Sequence, residues 1–201
     1  MALGGVIAVL VGSLGVGIVS AIGGGGTPDP ASRAPVADTL TTAIESALEP
    51  LGLAAAPDLL TAPAAFADAL AAATDDAGVV RAAAAGEALL GLLGPAGEAI
   101  DAIDVPEAVR GRGLDAAFVL DLIGARQRML DALGLYAASA RLAVEAALIE
   151  EPSLSVILAS ARDLAARAEA AFLEGHDLLV EAQVAAGTYG GPLVPNGAGL
   201  G

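Results

Sequence analysis

Between Leu154 and Ala186 an apolar or small residue recurs at alternating spacings of four and three: Leu154, Leu158, Ala161, Ala165, Ala168, Phe172, Gly175, Leu179, Ala182 and Ala186. Only an α-helix gathers such positions onto one face, and the alternation is that of a helix paired with another along its length. A comparable stripe precedes it, through Phe118, Leu122, Ala125, Met129, Leu133, Tyr136, Ala140 and Val144. Pro152 stops the first helix and Ser153 is placed to cap the second. The pattern predicts a long antiparallel, alanine-rich hairpin over 114–186, about 50 Å long at 1.5 Å per residue. Arg162, Asp163, Arg167, Glu169, Glu174, Asp177 and Glu181 form its polar side, with Asp163–Arg167 and Arg141–Glu145 spaced for i,i+4 ion pairs. Gly124, Gly134 and Gly175 each cost a helix about 1 kcal/mol relative to alanine, a cost that makes sense where a neighbour packs closely.

The core available to such a chain is one of small side chains. Hydrophobic residues make up 56% of the 201 residues, but aromatics only 2%, and alanine supplies much of the remainder. Alanine is the best helix former, and the β-branched or aromatic alternation of strands is absent downstream of the first segment. The fold class expected is therefore all-α. Residues 36–113 carry helical patterns punctuated by Pro50, Pro57, Pro63, Pro95 and Pro106, and read as a bundle of short acidic helices. Residues 187–201, rich in glycine and proline, read as a flexible tail in which Tyr189, Leu193 and Val194 are the side chains suited to docking.

The N-terminus is of a different character. From Ala2 to Gly24 there is no charged residue, and 23 residues rise about 34 Å as a helix, enough to cross a hydrocarbon core of about 30 Å. A secretory signal begins with a basic region, whereas the first basic residue here is Arg33. Val19-Ser20-Ala21 nevertheless suits a signal peptidase, so release by cleavage near Ala21 is the alternative. The interspersed glycines weaken the helix by amounts comparable to its insertion energy, which makes it a poor isolated anchor. Gly4, Ala8 and Gly12 lie on one i+4 row and Ser13, Gly17 and Ala21 on the next, a small-xxx-small face for packing against another helix in a bilayer. Residues 1–24 are thus expected to be a retained single-pass span, followed by a Gly/Pro hinge over 25–35; one arginine is too little to set its orientation.

Charge and residue type exclude several kinds of chemistry. With no cysteine there are no disulfides, thiolate nucleophiles or cysteine-ligated metals. All nine basic residues are arginine, set against 24 acids, for a net charge of -15. Nucleic acid is excluded as a partner on that balance. A GC-rich genome and a salt-rich cytoplasm, in which charges are screened within about 3 Å at 1 M, both fit the composition. The lone His176 sits among Glu174 and Asp177 and is expected to be solvated; a Glu-x-x-His metal motif would need glutamate at 173, which is Leu173. Glu174, Asp177 and Glu181 share one face, read as a solvated acidic surface. Gly23–Gly26 and Thr27 lack the lysine of a phosphate loop. Arg110, Arg112, Arg126 and Arg128 are expected to pair with the acidic zone before them.

No catalytic, cofactor-binding or metal-binding residues emerge, and no cofactor or small-molecule substrate is expected. The expected function is that of a membrane-anchored, non-enzymatic structural protein. Its partners are the lipid bilayer and either copies of itself or a larger assembly, such as an envelope complex or a membrane-containing virion. The alternative is a secreted helical binding module.

Overall fold

The computed structural model describes residues 30–52, 60–149 and 153–189, and there the fold is all-α. The helices are α1 (Pro30–Leu48), α2 (Thr61–Ala71), α3 (Asp76–Asp101), α4 (Val105–Val109), α5 (Ala116–Ala146) and α6 (Ser153–Ala186), with a 3-10 turn over Glu49–Leu51. Three starts are capped by aspartate: Asp75 accepts from the Gly78 N–H at 2.7 Å, Asp104 from Glu107 at 2.9 Å and Asp115 from Phe118 at 3.1 Å. Gly187, at φ 70, closes α6 as only glycine does without strain, with its N–H on Val184 O and that of Thr188 on Gln183 O.

Contacts far apart in sequence fix how the helices run. Ser139 of α5 donates to Ala161 O of α6 at 2.6 Å, and Arg128 lies 3.1 Å from Glu174, so numbers fall along α6 as they rise along α5. Gly86 of α3 sits against Ala140 O, and Arg126 reaches back to Ile100 O at 3.1 Å. At one end Arg33 of α1 meets Asp115 of α5 and Ala185 O of α6; at the other, Arg162 of α6 meets Leu70 O and Ala73 O after α2. The first leg of the bundle is α1 continued by α2, followed by α3, α5 and α6, each running opposite to the one before. α3 and α5 pair, α5 and α6 pair, and α1–α2 closes the square against α3 and α6.

The residues of the α6 stripe from Leu158 to Ala186 are buried, and Leu154 is partly so. In α5 the stripe from Phe118 to Ala140 is likewise buried, but Val144 is only half-covered and Ala143 takes its place in the core. α5 also buries Val119, Ala132, Ser139 and Ala146, because it packs against α3 as well as α6. Each large side chain sealed this way, Phe118 or Leu122 for example, contributes about 1.5–3 kcal/mol.

Two expectations need correction. Residues 30–35, assigned to the hinge, begin α1: Pro30 suits a first helical position, and Pro35 costs one backbone bond that the burial of Val36, Leu40 and Ile44 offsets. Nor are the helices before residue 113 all short. α3 runs for 26 residues through Pro95. Pro95 and Gly91, whose carbonyl loses its donor, are both exposed, so water can take the vacant bond, while Leu89, Leu93, Ala96 and Ile100 hold the other side in the core.

Candidate functional site

The packing face assigned to Gly4, Ala8, Gly12, Ser13, Gly17 and Ala21 lies outside the described residues, as does the tail beyond Tyr189. What the structure contributes is the geometry of the two ends of the bundle. At the proximal end, where α1 begins and α6 finishes, Arg33 Nη2 lies 2.6 Å from Asp115 Oδ2 and Nη1 donates to Ala185 O at 3.0 Å, with the guanidinium 5.6 Å above the Phe118 ring. Burial works to raise the Asp115 carboxyl, but the Phe118 N–H and the Arg33 charge outweigh it and hold the group below its ordinary value. Asp115 therefore caps α5 and ties it to α1, and Arg33 carries the tie on to α6.

The distal end carries exposed aliphatics. Leu148 is 83% exposed, Ile149 36% and Val156 66%, on either side of the connection from α5 to α6. Val156 also lines a shallow hollow on α6 with Ala159 and Leu164, rimmed by Ser155, Ser160 and Asp163. At about 1.5 Å per residue, the 31 residues of α5 set this surface about 45 Å from the Arg33–Asp115 pair. Single exposed aliphatics are ordinary; several flanking one turn mark a surface suited to contact.

The arginines of the middle segment divide between near and far partners. Arg110 pairs with Glu107 at 2.7 Å and Arg126 with Asp101 at 2.8 Å, both in the acidic zone, while Arg128 pairs with Glu174 of α6. Arg167 and Asp163 form the expected pair at 2.8 Å. His176 is not solvated as expected. Its side chain is 16% exposed, with Nδ1 3.8 Å from Asp177 Oδ1, because residue 176 flanks the buried row of Phe172, Gly175 and Leu179. Arg162, assigned to the polar side, turns onto the end of α2 and donates to Leu70 O within it and Ala73 O just after it. No local spacing announces that contact, which joins residues some ninety positions apart.

Among the described residues no group of three or more His, Cys, Asp or Glu is placed to hold a metal ion. One helical stretch among them, Asp76–Val109, which takes in α3 and α4, is long and apolar enough to cross a membrane by length and composition. Its apolar residues Val79, Ala82, Leu89, Leu93 and Ile100 form part of the bundle core, and Glu87 and Glu98 face outward, as in the core helix of a packed domain. Fold and surfaces together define a helical bundle. Comparison with family models, with curated proteins and with solved structures finds no match to this chain.

Proposed function

We propose that the protein is a membrane-anchored, non-enzymatic structural component that assembles with copies of itself, in an envelope complex or a membrane-containing virion. Residues 1–24 supply a single-pass anchor whose small-residue face, Gly4 to Ala21, packs in the bilayer. The acidic bundle keeps the exposed part soluble. The antiparallel α5–α6 hairpin is its rigid arm, and its tip, Leu148, Ile149 and Val156, is the contact.

One observation carries this reading. The chain enters α1 at the proximal end, where Arg33 meets Ala185, while four of the six exposed large aliphatics among the described residues, Val80, Leu148, Ile149 and Val156, lie toward the distal end, with Leu120 and Val184 nearer the proximal one. An anchor joined at Pro30 and a contact surface about 45 Å away give the two poles a membrane-borne strut needs.

The test is the mass of the intact chain in mild detergent by light scattering. Wild type is expected to exceed one copy per particle, and L148E combined with V156E to lower the copy number with the helical content intact. A monomeric wild type, or an oligomer indifferent to both charges, contradicts the assembly reading.

A further inference from the structure

Between α2 and α6 the bundle is not closed. A groove of about 480 Å³ opens there, within the size range of small-molecule sites. The gap follows from residue size: Ala64, Ala67 and Ala71 of α2 face Ala165 and Ala166 of α6, too small to meet, and the bonds from Arg162 to Leu70 O and Ala73 O keep the helices in place. Phe172 and Pro63 give it an apolar floor.

Its polar groups are few and lean to one charge. Tyr136 reaches in from α5; it is 7% exposed, and its hydroxyl bonds to no other group among the described residues. Asp68 and Glu169 stand at the mouth, both exposed and neither in an ion pair among the described residues. Arg162 is the cation of the lining, but its Nε and Nη2 are committed to Leu70 O and Ala73 O. Burial, together with the charge of Glu169, pushes the Tyr136 phenol up to about 12, so it stays neutral, with an oxygen free to accept and a proton free to donate. An anionic ligand would meet two carboxylates against one guanidinium, whose Nε and Nη2 are already taken by backbone carbonyls. A cation would find both carboxylates and the phenol oxygen, with aromatic rings beside it.

We propose that this groove binds a small organic ammonium ion with an apolar body. The charged head is held by Glu169 and Asp68 at the mouth and the Tyr136 oxygen within, and the body lies along Pro63, Ala165 and Phe172. This extends the set of partners beyond those expected from the sequence, and it stands apart from the anchoring proposal because it uses neither terminus nor the distal tip.

Benzylammonium chloride, titrated into the full-length chain in nonionic detergent, is the probe, with benzyl alcohol and benzoate as its neutral and anionic counterparts. The readout is the ring proton resonances of Tyr136 and Phe172. Saturable shifts with benzylammonium are expected, weakened about tenfold in E169Q by loss of a charged contact. In A166L, where a leucine from an exposed helix position fills the groove, they are expected to vanish. Absence of saturable shifts, benzoate binding as well as benzylammonium, or binding unchanged in E169Q and A166L overturns the proposal.

Discussion

At the scale of single residues, glycines and charges separate into those the packing needs and those it does not. A Cβ on Gly86 would lie 2.9 Å from Ala140 O, a backbone atom that cannot step aside alone, so G86A forces α3 away from α5. A Cβ on Gly134 meets nothing within 4 Å. G86A is expected to destabilise by about 1–3 kcal/mol, and G134A to stabilise by about 0.5–1 kcal/mol through helix propensity alone; urea unfolding of the two variants measures the contrast. Sequence alone treats Gly124, Gly134 and Gly175 as equivalent costs, and only the neighbours tell them apart: Gly175 abuts the Arg128 Cβ and Ala125 O, whereas Gly134 abuts nothing. Asp115 supplies a pH signature. Its folded carboxyl titrates below the ordinary 3.8, so its contribution is full above that value and is lost as pH falls through the lowered one. D115N keeps a capping side chain but loses the ion pair; it is expected to be about 1 kcal/mol less stable at pH 7, with the gap closing under acid unfolding.

At the scale of elements, legibility followed periodicity. The α6 stripe is read nearly residue for residue because the residues it buries fall in a single row. α5 is read by half: it packs on two neighbours, so its second buried set of Val119, Ala132, Ser139 and Ala143 blurs the period a one-faced helix shows. α3 is broken on paper by Pro95, yet continuous in the bundle because the proline falls on the exposed side. α2 depends on a contact no local pattern contains. It is an 11-residue helix, short for autonomous stability, and Arg162 holds its C-terminal end through Leu70 O and, just beyond it, Ala73 O. R162A is expected to cost about 1–3 kcal/mol and to lower hydrogen-exchange protection in α2 before that in α5 or α6. Uniform loss across all helices would mean that the Arg162 contact does not hold α2 in particular.

At the scale of the whole molecule, the two ends of the bundle differ. The proximal end is knit by Arg33, Asp115 and the close of α6, and it is there that the chain from the uncharged N-terminal run enters; the distal end offers Leu148 and Val156 to solvent. That polarity is invisible in the sequence, because it arises from α1–α2 running in the same direction as α5 and packing on α3 and α6 rather than from any local signal. The candidate packing residues Gly4 to Ala21 are legible only as a pattern of small side chains. The central claim is that residues 1–24 hold this bundle to a bilayer. Alkaline carbonate extraction of membranes from cells making the full chain tests it most directly. The account predicts that the intact chain stays with the membrane pellet while a chain starting at Gly25 is released to the supernatant; full extraction of the intact chain, or recovery of a soluble product shortened by about 21 residues as in signal cleavage, would contradict it.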